Sequence, residues 1–143
     1  HSQELIVSNI KLLLDYCKRY YDRQSYTRTN LNKDFVTKFE SCLKNYFESG
    51  KHLDGGVPTV KYFGEELNMS AQYLSNLLKK ETGISAQEHI YTHLIDLAKT
   101  RLLASSDSIS QVAYSLGFDY PNHFSKLFKS KTGISPNEYR SLN

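Results

Sequence analysis

Cysteine is scarce. Cys17 and Cys42 are the only two in 143 residues, too few for a disulfide framework or a cysteine-rich zinc site. Each sits among apolar residues at helical spacing, so both are expected to be buried reduced thiols. No apolar run approaches eighteen residues, which excludes a helical membrane span. No charged-then-apolar leader opens the chain, and a cytoplasmic protein is expected. The first residue is His1 rather than Met, which points to a fragment or a tag remnant, with function expected upstream. No glycine-rich phosphate loop is present, and no cysteine or serine has a recognisable activating partner, so nothing points to catalysis or to a cofactor. Strong charge imbalance is also lacking: the formal net charge is +3. Apolar residues still make up 39% and charged residues 23%, the composition of a folded globular chain.

The charge that is present is unevenly placed. Residues 1–57 carry nine Lys/Arg and seven Asp/Glu, and residues 58–143 carry nine and eight. Yet the windows Ala71–Lys80 and Tyr120–Lys131 hold Lys79, Lys80, Lys126, Lys129 and Lys131 and no acid at all. Positive charge concentrated in short segments is the footprint of a nucleic-acid contact.

In residues 1–57, Ile6, Ile10, Leu13, Leu14 and Cys17 follow a helical period and predict a helix at about 3–21. Arg23 to Asn30 is polar and reads as a loop. A second helix fits Lys33 to Ser49, with Phe35, Phe39, Cys42, Leu43, Tyr46 and Phe47 on one face, ended by Gly50. The pair is expected to pack as a helical hairpin, an interaction segment rich in tyrosine at Tyr16, Tyr20, Tyr21 and Tyr26. Gly55-Gly56-Val57-Pro58 then marks a linker, giving two domains, 1–57 and 58–143.

Beyond that point the chain repeats itself. LSNLLKKETGISAQEHI, from Leu74 to Ile90, aligns without a gap on FSKLFKSKTGISPNEYR, from Phe124 to Arg140, with eight of seventeen positions identical. Upstream, Val60, Phe63, Leu67 and Met69 face Ile109, Val112, Leu116 and Phe118 at an offset one residue shorter. Internal duplication is the strongest organisational signal in the sequence. Each copy opens with a cap, Thr59 or Ser108-Ile109-Ser110-Gln111, followed by about two helical turns. Each then turns sharply, at Asn68-Met69-Ser70 or at Gly117-Phe118-Asp119-Tyr120. A second helix runs to Gly83 or Gly133, and Ser-x-x-Glu at Ser85 or Ser135 starts the next. Short helix, tight turn and second helix make a helix-turn-helix. Gly64, where the second copy has Ala113, weakens the first short helix by up to about 1 kcal/mol. From Ser85 to Leu103 the pattern is one continuous helix, with Ile90, Leu94, Leu97 and Arg101 on one face. It spans about 28 Å, against about 34 Å between adjacent major-groove faces on one side of a duplex. The fold class expected is therefore all-α: tandem helix-turn-helix units joined by a long linker helix and preceded by a helical hairpin.

Residues 58–141 resemble the DNA-binding module of the AraC/XylS family of transcription regulators. The resemblance rests on the tandem units, the linking helix, Gly117-Phe118, Phe124-Ser125, Phe128-Lys129, and the ending Thr132-Gly133-Ile134-Ser135-Pro136-Asn137-Glu138-Tyr139-Arg140. The stretch Tyr16–Gln24 is similar to the connecting segment of some Bacteroidetes-type members, where it follows a cupin-type effector-sensing domain. The resemblance implies that such a domain lies outside this chain and that RNA polymerase is a partner.

Recognition helices are expected at about 71–82 and 121–132. Near their starts, outward side chains should reach base edges of double-stranded DNA: Ala71, Gln72, Tyr73, Ser75 and Asn76 in the first unit, and Tyr120, Pro121, Asn122, His123, Ser125 and Lys126 in the second. Gln72 and Asn76, four apart, suit adenine, and Lys126 suits guanine. Lys79, Lys80, Lys129 and Lys131 lie further along, where phosphates would run. Because the outward faces differ, each chain should read an asymmetric site. His89 and His93 are also four apart, a spacing that can hold a metal, but no third ligand is near. His89 aligns with Tyr139 of the second copy, which favours packing. A protein-interaction role remains for residues 1–57, including a homodimer.

Overall fold

The computed structural model describes residues 2–143, leaving aside the side chains of residues 25, 26 and 29; Tyr26 of the tyrosine cluster therefore lies outside the described side chains. Its described residues are arranged as eight helices: α1 (Ser2–Glu48), α2 (Lys51–Gly55), α3 (Val60–Glu66), α4 (Ala71–Thr82), α5 (Ala86–Ala104), α6 (Ile109–Ser115), α7 (Pro121–Thr132) and α8 (Pro136–Leu142). The chain divides into two compact units, one ending at Thr37 and the other comprising Lys38–Asn143.

The expected hairpin in residues 1–57 is not formed. Arg23–Asn30 continues the helix instead of breaking it, and α1 is a single element. Two facts explain the difference. No glycine or proline occurs between Ser2 and Ser49, and polarity alone does not stop a helix, since Arg and Gln are good helix formers. Thr27 satisfies its hydroxyl inside the helix by donating to Arg23 O at 3.0 Å. Gly50, in the left-handed region with φ 79°, supplies the first true stop.

In the first unit, α1 leaves its apolar side chains on the surface: Leu5, Ile6, Ile10, Leu13 and Tyr20 are each more than half exposed. Cys17 is exposed as well and Cys42 half-buried, both free thiols. This corrects the expectation that both are buried.

The second unit carries the core, which starts before the repeats. Phe39, Leu43, Tyr46 and Phe47 of α1 are buried together with Phe63, Leu74, Leu78, Ile90 and Leu94. Phe39 meets Phe63 edge-on, ring centroids 5.3 Å apart. The second copy closes around Val112, Leu116, Phe124 and Phe128. The Gly55-to-Pro58 stretch is a turn inside this unit: Tyr46 Oη donates to Gly56 O at 2.8 Å.

Within the repeats the caps act as their sequence implies. Thr59, Ser70, Ser85, Ser108 and Ser135 each accept the backbone N–H three residues on. Ser108 and Gln111 complete a reciprocal capping box. Gly83 and Gly133 end α4 and α7 in the left-handed conformation, and Asn68 adopts φ 57° at the first turn. Gly64 has a packing reason that its sequence context hides. A Cβ there would stand 2.7 Å from Met69 O, so glycine is what lets α3 meet the turn into α4.

Candidate nucleic-acid interface

α4 and α7 are the second helices of the two units. Their twelve-residue spans, Ala71–Thr82 and Pro121–Thr132, coincide with the expected recognition helices. Leu74 and Leu78 anchor α4 in the core, as Phe124 and Phe128 anchor α7. Anchoring at these positions turns the same face outward in both helices.

The exposure patterns of the two helices match at nine of their twelve positions, including all six at the helix starts. Gln72, Tyr73, Asn76 and Lys79 are exposed in α4; Asn122, His123, Lys126 and Lys129 are exposed at the equivalent places in α7. Ala71 and Ser75 are half-buried, as are Pro121 and Ser125, and Lys80 is exposed. Tyr73, which could have folded onto its own unit, is 57% exposed. Tyr120 precedes α7 without capping it and sets its ring edge-on to His123 at 5.3 Å.

Gln72 Nε2 donates to Asn76 Oδ1 at 3.0 Å. The pair thereby keeps Gln72 Oε1 as an acceptor and the Asn76 amide as a donor on one exposed face. Adenine offers the complement, an N6 donor beside an N7 acceptor.

Lys131 is placed differently from the other lysines. Its ammonium bonds both carboxylate oxygens of Glu88 on α5, at 2.7 and 2.8 Å, and stands 5.3 Å from the centre of the Tyr91 ring. It latches α7 to the linker helix. The sequence could not show this contact, because the partners are 43 residues apart. Ser85–Glu88 forms only the serine half of a capping box, as does Ser135–Glu138.

The histidine pair of α5 is absorbed by packing. His89 Nε2 lies 2.8 Å from Thr82 Oγ1, and its ring stands edge-on to Phe39. The His93 ring lies over Phe47 at 5.3 Å. Burial lowers the pKa of His89 below the ordinary histidine value, against the nearby Glu40. It lowers that of His93 too, against Asp96 and Glu48 and with Lys44 adding to the effect.

Residues 63–141 match the helix-turn-helix domain family. The chain belongs to the AraC-type helix-turn-helix family. Among curated relatives, it is 38% identical over 72 residues to the transcriptional activator RhaS of Escherichia fergusonii, covering 50% of this chain and 26% of that protein. Among solved structures, it is similar to the C-terminal domain of the two-component response regulator yesN from Fusobacterium nucleatum: 28% identity, TM-score 0.61, covering 71% of this chain and 96% of that one. The DNA-binding domain of AdpA, solved in complex with a target DNA, shares the fold at TM-score 0.61 and 22% identity, covering 73% of this chain and 90% of that one. The chain spans 26–41% of the length of three curated relatives that it matches. The family is one of DNA-binding transcription regulators. No described helix is long and apolar enough to cross a membrane.

Proposed function

We propose that this chain is the DNA-reading part of a transcription regulator, placing α4 and α7 in consecutive major grooves of double-stranded DNA. The observation that carries the reading is the matched exposure of the two helices, with different polar side chains at equivalent outward positions. Gln72 and Asn76 would read one block; Asn122, His123 and Lys126 would read the other, with Tyr73, Tyr120 and the half-buried Ala71, Ser75, Pro121 and Ser125 shaping the contact. Lys79, Lys80 and Lys129 would hold phosphates. The effector-sensing domain and RNA polymerase are partners in this proposal, as is the division of labour between residues 1–57 and 58–143.

Selection of bound sites from a random duplex pool at fixed salt tests the reading directly: two dissimilar blocks are expected. On the selected site, Asn122→Ala should cost about 1–3 kcal/mol and relax preference in one block, whereas Lys129→Ala should weaken all duplexes alike. Identical behaviour of the two variants would overturn this sorting of base and phosphate contacts.

A second role is favoured by the exposed apolar side chains at positions 5–21 of α1. A homodimer through this segment would cover them. Sedimentation of the 143-residue chain at twice its 16.5 kDa mass supports that role; a monomer at every accessible concentration removes it.

A further inference from the structure

Residues 46–57 belong to neither helix-turn-helix unit, yet they touch both. On one side, Tyr46 stands edge-on to Tyr62 and Phe63 of α3, centroids 5.1 and 6.1 Å away. Its hydroxyl holds Gly56 O. On the other side, the backbone of this segment lies against the turn between α6 and α7. A Cβ on Gly117 would come within 2.9 Å of His52 O, 3.0 Å of Gly56 C and 3.2 Å of Val57 N. Gly117 is thus required twice, by its φ of 100° and by this approach.

His52 sits at the centre of the junction and is 4% exposed. Its Nε2 lies 3.1 Å from the carbonyl oxygen of Ser115, the last residue of α6. A carbonyl only accepts, so Nε2 donates. Arg101 of α5 donates to the same oxygen, also at 3.1 Å. The other ring nitrogen of His52 is buried without a partner. Packing alone would be served better by an apolar side chain, which leaves no buried acceptor unpaired. The feature that requires histidine is the bond to Ser115.

We propose that residues 46–57 form a second brace between the two units, alongside α5, and that His52 is its positioning residue, fixing the spacing at which α4 and α7 meet DNA. The proposal rests on the two-groove reading above. α5 ends at Ala104 and α6 begins at Ile109, and this connection is tied by Arg140, which donates to Leu102 O and Asp107 O, and by Arg101, which donates to Ser115 O. The bond from His52 adds a tie at the far end of α6 from a segment outside both units. Two reading heads on one duplex bind with an effective concentration set by their connection. Loosening the connection weakens joint binding and leaves each head's own contacts intact.

The test uses the 143-residue chain and a duplex selected from the random pool, with versions in which one block or the other is scrambled. For His52→Ala, whole-site affinity is expected to fall about tenfold while each half-scrambled duplex stays within about twofold of the unsubstituted chain. A one-base-pair insertion between the blocks should be penalised less than in the unsubstituted chain. His52→Gln keeps an amide donor for Ser115 O and should restore whole-site affinity. An equal loss on whole and half-scrambled sites, or no loss in a folded variant, overturns the proposal. Should His52→Ala fail to fold, the insertion series on Tyr46→Phe, which removes only the bond to Gly56 O, replaces it; unchanged spacing preference there overturns the brace. A selection that yields a single block overturns the two-groove reading itself, before any variant is made, and the brace with it.

Discussion

Replacing Phe39 with alanine is expected to destabilise the Lys38–Asn143 unit by about 3–5 kcal/mol, measured as the shift in denaturant midpoint at constant slope. Phe39 is fully buried, edge-on to Phe63 and to His89. The magnitude follows from the cavity as well as the lost transfer energy, because α3 and α5 are held apart by their own helical geometry and cannot collapse into the space. Phe39 stands well ahead of the matched family segment, residues 63–141. A large effect would therefore show that the folding unit begins near Lys38. A loss under about 0.5 kcal/mol, the size typical of surface positions, would place α1 outside the core and sink that assignment.

Raising monovalent salt from 50 to 200 mM is expected to weaken binding to the selected duplex by about 10³–10⁴-fold, a log–log slope of about −5 to −7 for five to eight neutralised phosphates. Lys79, Lys80, Lys126 and Lys129 project from α4 and α7, where Glu81 at the end of α4 is the one acidic residue, and on the proposed reading the N–H groups and hydroxyls at the helix starts would add further phosphate contacts. Fluorescence anisotropy across a salt series gives the slope. Lys129→Ala should reduce its magnitude by about one unit. Lys131→Ala should reduce it less than Lys129→Ala does, because the Lys131 ammonium is paired with Glu88. A flat dependence in the unsubstituted chain would remove the electrostatic basis of the proposed interface.

Much of the second unit was legible in the sequence because its signals are local. Ser70, Ser85, Ser108 and Ser135 bond backbone groups three residues away, and Gly83 and Gly133 end helices through their own φ. Such features set element boundaries within a few residues, which is why the spans of α4 and α7 could be read directly. The resemblance to the AraC/XylS family lay in the same local stretches. What was missed depends on distance along the chain. His52 and Ser115 are 63 residues apart, and nothing around a histidine in a glycine-flanked turn announces its partner. The apolar face at Phe39, Leu43, Tyr46 and Phe47 was visible, but its partners were not: it packs within the second unit, Phe39 against Phe63 and His89. The loop expected at Arg23–Asn30 failed for the opposite reason. Polarity was weighed there, while the lack of any helix-breaking residue, which decides the matter, was not.

The unlike faces of α4 and α7 have one more consequence on the proposed reading. Two identical heads related by a two-fold axis would let the chain lie on DNA in either of two opposite directions with equal energy. With Gln72 and Asn76 on one head and Asn122 and Lys126 on the other, the two directions differ in every base contact. A single bound chain then has a heading, and the point at which the chain enters the Lys38–Asn143 unit faces a defined side of the site. Whether a neighbouring promoter is helped or blocked would follow from which way the site is written.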